Sequence, residues 1–134
     1  MRILVIDGQG GGIGRQLVSA LKTAFPQHEL IAVGTNSAAT AAMLKAGADA
    51  AATGENSVLV CARTADVIVG PIAIVIADAL LGEITPAMAT AVSQSAARRI
   101  LIPVNHCDNI IVGVGDLNMS KLVQEAVAII GDKS

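Results

Sequence analysis

Apolar residues along this chain fall into short unbroken runs, each closed by a turn-forming residue: "ILVI" by Asp7, "LIAV" by Gly34, "VIV" by Gly70 and "ILIPV" by Asn105. A half-exposed strand would alternate apolar with polar positions. Unbroken runs of three to five instead suit strands covered on both faces, as in a parallel sheet. Between the runs lie longer stretches with helical spacing. This alternation predicts a first strand from Ile3 to Ile6 and a helix from about Gly12 to Phe25, stopped by Pro26. Leu30 to Val33 follows as a second strand. The next helix spans about Ser37 to Lys45, with Ser37 or Asn36 as N-cap and Gly47 as its stop. "DAAAT" makes a third strand from poor strand formers, Glu55 to Arg63 a short helix, and "DVIVG" from Asp66 a fourth strand. The stretch "PIAIVIADALLGEITPAMATAVSQSAARR" reads as two helices separated near Gly82, the second opened by Thr85 as N-cap with Pro86 in its first turn. Ile100 to Val104 is a fifth strand, Ile110 to Val114 has the composition for one more, and Ser120 to Ile130 closes the chain as an amphipathic helix.

The expected architecture is a three-layer, Rossmann-like α/β fold: a mostly parallel sheet of about five to six strands with helices on both faces. No repeat, linker or low-complexity segment divides the chain, so residues 1–134 are expected to form one domain. Composition agrees, since apolar residues make up 53% but include one Phe and no Trp or Tyr, leaving Ala, Val, Ile and Leu to build the core. The net charge of −2 and the absence of stacking aromatics argue against a nucleic-acid partner. Cys61 and Cys107 are far apart and lack metal-ligand spacing, so reduced thiols in a cytoplasmic protein are expected, with no metal site. The apolar run before Asp7 is too short for a signal peptide. Val67 to Ala77 falls well short of the roughly 20 apolar residues a membrane helix needs, so no membrane partner is expected.

In a parallel sheet, ligands sit beyond the C-terminal ends of the strands. That rule collects Asp7 to Gly14, Gly34 to Ser37, Thr53 to Asn56, Gly70 to Ile72 and Asn105 to Asp108 along one rim. The set holds no base except His106, with Arg15 beside it, so an anion there must be held mainly by backbone N–H groups and helix dipoles. The richest segment is "DGQGGGIG", five glycines within residues 8–14. It is not a P-loop: Gln9 stands in place of the first glycine, Arg15 of the lysine and Gln16 of the hydroxyl residue. It also misses the strict G-x-G-x-x-G fingerprint, because Ile13 or Arg15 takes the third place. A looser G-x-x-x-G-x-G spacing fits at Gly8, Gly12 and Gly14. On that reading Gly8 allows a tight exit from the strand, Gly12 lets backbone approach a phosphate, and Gly14 lets the helix pack close. Asp7 is expected to hydrogen-bond and orient the loop backbone.

At the end of the second strand, an acid that could hold ribose hydroxyls is missing from "GTNS", and so is an Arg for a 2′-phosphate. Thr35, Asn36 and Ser37 at a helix N-terminus suit NADP somewhat better than NAD. The expected ligand-binding set is therefore Gly8, Gln9, Gly10, Gly11, Gly12, Ile13, Gly14, Thr35, Asn36, Ser37, Gly70, Pro71 and Asn105. Glu55, Glu83 and His106 are the candidate catalytic groups, the two glutamates as rim acids or bases. A nucleophilic Cys107 beside His106 would require contact, which adjacency does not give.

The reading "DGQGGGIG" resembles the "TGxxxGIG" turn of short-chain dehydrogenases. The resemblance ends there, because the family's catalytic Tyr, with a Lys four residues later, has no counterpart in a chain without tyrosine. Over nearly its whole length the chain resembles a family of small bacterial proteins that carries only a domain-of-unknown-function label. The segments that carry this are "VIDGQGGGIG", "VGTNSAATAAMLKAGADAAATGEN", "GPIAIVIADALLGEITPAMATAVSQS" and "ILIPVN". The resemblance implies that Asn36, Glu55, Asn56, Gly70, Pro71, Glu83, Thr85 and Asn105 are shared features, but it supplies no activity.

"PIAIVIADALLG", if helical, is apolar on nearly every side and would need cover beyond the sheet; a homodimer through it and the following helix is expected. Three function classes fit. One is a nucleotide- or dinucleotide-binding module, of NADP or NAD type, that holds a small phosphorylated ligand without chemistry. The second is a small enzyme acting on a phosphorylated or carboxylated metabolite, and the third a ligand-free interaction scaffold.

Overall fold

The four apolar runs become neighbouring strands because only a sheet covered on both faces can bury most of the side chains of an unbroken apolar run. The computed structural model describes residues 1–104, 109–115 and 118–132. Strands β1 (Arg2–Asp7), β2 (Glu29–Gly34), β3 (Ala50–Thr53), β4 (Val67–Pro71) and β5 (Arg98–Ile102) form one parallel sheet in the order β3-β2-β1-β4-β5. Ile3 and Val5 of β1 point into one core, Leu4 and Ile6 into the other. The first core is closed by α1 (Gly12–Ala24), α2 (Ser37–Lys45) and α5 (Met119–Gly131) through Leu17, Leu21, Met43, Val123 and Ile130. The second is closed by α3 (Glu55–Ala62) and α4 (Pro86–Gln94) through Val58, Ala62, Met88 and Val92. This is the three-layer α/β arrangement expected from the pattern, and every pairing in the sheet is parallel.

The chain winds outward from β1 to β3, then crosses back to β4 on the other side of β1, so the strand order reverses beside β1. Loops diverge at such a point and open a crevice beyond the C-terminal strand ends. Register brings those ends level, Asp7 against Gly34 and Gly34 against Thr53. Helix starts are fixed locally. Asn36 caps α2 by accepting from the Ala39 N–H at 2.9 Å, and Thr85 caps α4 by accepting from Met88 at 3.1 Å.

Three sequence expectations change. The segment after β4 is not a helix: it makes a short 3-10 turn at Ile72–Val75 and then an irregular turn through residues 76–85. Its Ala73, Ile74, Leu80 and Ile84 are buried in the chain's own second core, so the apolar helix that seemed to need a second subunit does not exist. Ile110 to Val114 forms no strand; Ile110 and Val112 are exposed outside the sheet. Strand β5 begins earlier than its apolar run, at Arg98, because an edge strand tolerates exposed charge at its start.

Gly70 shows how tightly β4 meets β1 at the rim. A Cβ there would run into the carbonyl oxygen of Ile6 and come within 3.2 Å of Ile74 Cδ1. Gly70→Ala is therefore expected to cost about 1–3 kcal/mol of stability through overpacking. Gly12→Ala, at the first position of α1 with nothing within 4 Å of the added Cβ, is expected to be neutral or stabilising by up to about 1 kcal/mol. Urea denaturation of the pair checks the contrast; equal losses would contradict it.

Candidate functional site

At the C-terminal end of β1 the chain must turn sharply and enter α1. What holds that turn is Asp7, which is 4% exposed. Its Oδ1 accepts from the Gly8 N–H at 2.8 Å and its Oδ2 from the Gly14 N–H at 2.6 Å, so one carboxylate ties together both ends of the glycine loop. Helix α1 has no side-chain cap at Gly11, and Asp7 does that work from the preceding strand, facing the positive end of the helix dipole. Burial pushes the Asp7 carboxyl up. The N–H groups of Gly14, Gly8 and Ile13 pull against that, while the negative charge of Glu83 adds to it.

The five glycines divide by what surrounds them. Gly11 is left-handed at φ 72° and lies so close to α2 that a Cβ would come within 2.9 Å of Ala39 Cα. A Cβ on Gly14 would lie 2.6 Å from Met43 Sδ, and one on Gly8 2.7 Å from Thr35 Oγ1 and 2.8 Å from Leu80 Cδ1. Those three glycines make room for protein. Gly10 and Gly12 are different, since each is exposed with nothing within 4 Å of an added Cβ, and among the described residues their N–H groups have no hydrogen-bond partner.

Above Gly8 lies Glu83, delivered by the irregular segment after β4. Its Oε1 accepts from the Gln9 N–H at 3.0 Å, the Thr35 hydroxyl at 2.6 Å and the Asn36 side-chain amide at 2.7 Å. Burial alone would raise this carboxyl, but the bonds from Thr35, Gln9 and Asn36 outweigh it and hold it below the usual glutamate range. Asn36 works twice, its Oδ1 capping α2 while its Nδ2 also donates to the Gln9 carbonyl at 2.9 Å. Gln9 adopts φ 48°, a left-handed conformation that costs a non-glycine residue energy and is held here by bonds on both sides of its backbone.

The remaining expected site residues are placed as follows. Ser37 opens α2 and is exposed, Ile13 packs against the first core, and Gly70 and Pro71 end β4 in buried positions. Glu55 starts α3 and accepts from the Thr85 hydroxyl at 2.7 Å, which ties α3 to the start of α4. Asn105, His106, Cys107 and Asp108 lie outside the described residues. Arg15 lines a groove of about 780 Å³ between α1, α2 and α5 that contains none of residues 8–14. Glu83 is legible as a rim acid, but not its partners Gln9, Thr35 and Asn36, which are 74, 48 and 47 residues away in sequence. Leu80, which covers Gly8, gave no signal at all. Among the described residues no group of His, Cys, Asp and Glu is arranged to hold a metal, and no helix is long and apolar enough to cross a membrane.

A doubly wound parallel sheet with a glycine loop at its switch point thus defines the class of fold. The chain belongs to the family described as a domain of unknown function, DUF3842, which it matches over residues 2–134. No curated protein shows significant sequence similarity to it. Among solved structures it is similar to the dodecameric FMN-dependent Ubix-like decarboxylase from Escherichia coli O157:H7, with 16% identity, coverage of 98% of this chain and 76% of that one, and a TM-score of 0.48. A likeness at that level carries no argument about chemistry.

The two carboxylates are expected to respond to substitution in different ways. Asp7→Asn would set an amide N–H against the N–H of Gly8 or Gly14, leaving a buried donor unpaired, and is expected to cost about 1–3 kcal/mol in urea denaturation. Glu83 has a lowered folded-state pKa, so its stabilisation is complete above its unfolded value and is lost as pH falls through the folded one. Wild type is therefore expected to exceed Glu83→Gln in stability at neutral pH, and the gap is expected to close in acid. A gap that widened on acidification would contradict the assignment.

Proposed function

We propose that the protein binds a small phosphorylated, nucleotide-type ligand at the C-terminal rim of its sheet, with the phosphate against the backbone of residues 8–14. The observation that carries this is the pair Gly10 and Gly12. Neither has a packing reason to be glycine, both present an N–H without a partner among the described residues, and both flank the start of α1. Glycines with open space cost conformational entropy, and close approach of a ligand to backbone is the use that offsets it.

The ligand is of nucleotide class, with no preference for NADP over NAD. That preference rested on the lack of an acid between Gly34 and Ser37. Glu83 brings a carboxylate to Thr35 and Asn36 from elsewhere in the chain, so the missing acid no longer separates the two cofactors. Nor is Glu83 suited to be a general base near neutral pH, since its carboxyl is held low. Binding without chemistry is the function this arrangement supports best.

A thermal-shift panel of NAD, NADP, flavins, ATP and sugar phosphates tests it. A ligand at 100 times its dissociation constant adds about 2.7 kcal/mol of stability. At least one member is expected to stabilise wild type, and Gly12→Val, at a position where an added Cβ meets nothing within 4 Å, is expected to fold and to abolish that shift. No shift from any member would refute the proposal.

A further inference from the structure

We infer that Gln9, Thr35 and Asn36 form an oxyanion-binding position which Glu83 fills from within the chain, and that the phosphate of an incoming ligand takes this position by displacing Glu83. The inference rests on the phosphate-binding reading above and adds to it where the anion sits and what must leave. Three donors from two separate loops converge on the single atom Glu83 Oε1: a backbone N–H, a hydroxyl and a side-chain amide. Such a constellation recognises an anionic oxygen, and a phosphate oxygen presents the same acceptor as the carboxylate that fills it.

The segment that carries Glu83 closes on itself rather than on the rim. Its own backbone closes it, through Asp78 N–H to Ile84 C=O at 2.7 Å, Gly82 N–H to Asp78 C=O at 3.1 Å and Ile84 N–H to Ala79 C=O at 3.2 Å. Among the described residues, its hydrogen bonds to the glycine loop and to the end of β2 all come from Glu83. Asp78, Leu80 and Leu81 have φ of 65°, 57° and 57°, left-handed values in three non-glycine residues, and Leu81 is 94% exposed at the tip. Leu80 and Ile84 anchor this strained turn in the second core, so displacing the one carboxylate that plugs the donor cluster loosens its exposed tip locally and leaves its neighbours in place.

Calorimetric titration with ADP, the portion common to the expected dinucleotides, combined with hydrogen exchange tests the exchange of anions. Glu83→Ala is expected to bind ADP at least tenfold more tightly than wild type, with Glu83→Gln between them as the variant that keeps the side chain's size. In wild type, ADP is expected to speed amide exchange in residues 76–85 while slowing it in residues 8–14. Equal affinity in wild type and both variants would overturn the displacement and leave phosphate binding standing. Weaker binding by the variants would overturn it too, making Glu83 a ligand-holding group. Tighter binding without faster exchange in residues 76–85 would reduce Glu83 to a nearby repelling charge and equally defeat the inference. No binding of ADP by any of the three proteins would count against the phosphate-binding reading itself.

Discussion

One buried carboxylate sets the shape of the rim. Asp7 stands at the last residue of the central strand and accepts from the N–H groups of Gly8 and Gly14, so the loop between them is pinned at both ends before any neighbour touches it. Without that link, the start of α1 would leave buried N–H groups unpaired, at about 1–3 kcal/mol each. With it, helix α1 starts so close to the sheet and to α2 that a Cβ on Gly14 would lie 2.8 Å from Asp7 Cβ and 2.6 Å from Met43 Sδ. The cost is electrostatic. The carboxyl is buried beside a second acid and is pushed up by both, so the loop is held by a group that its own N–H donors must keep stable.

Much of the fold was written in the apolar pattern. The runs "ILVI", "LIAV" and "VIV" became β1, β2 and β4, and α2 starts after Asn36 and ends at Lys45, as its capping residues indicate. Even the poor strand formers of Ala50–Thr53 pair, because β2 offers them a registered edge. The segment from Pro71 to Gly82 was misread because hydrophobicity reports burial and not conformation. Its apolar residues reach the core through a 3-10 turn and left-handed residues, with Leu80 turned inward and Leu81 outward at consecutive positions. The run after the fifth strand failed for the opposite reason, since Ile110 and Val112 are apolar but exposed.

Of the site, the sequence revealed the parts and not the pairings. Asp7, the glycines, Thr35 and Asn36 are marked out by type and by position at strand ends, and Glu83 as an acid beside a glycine. That Thr35 and Asn36 would spend their donors on Glu83 depends on how a long irregular segment folds over the rim, and no periodicity encodes that. The glycine spacing was also only half informative. Gly8, Gly12 and Gly14 match a known turn, yet packing separates Gly8, Gly11 and Gly14 from Gly10 and Gly12. The distinction lies in the neighbours, Ala39, Met43, Thr35 and Leu80, which come from three other elements.

The same distribution of donors bears on how a ligand would be held. A loop that leaves all its N–H groups free adds its full dipole to a bound phosphate, whereas here Asp7 takes those of Gly8 and Gly14, and Glu83 takes that of Gln9. Gly10 and Gly12 keep theirs unpaired among the described residues. On the proposed reading, binding is therefore largely an exchange of one anion for another. The net gain is the difference between what a phosphate and a carboxylate each make of the same donors. Such a site favours a ligand with several acceptor oxygens, able to reach Gly10 and Gly12 as well as Thr35 and Asn36, over a lone carboxylate that can only replace Glu83 like for like. Selectivity then comes from the competitor already in place: an anion that matches only Glu83 gains nothing by displacing it.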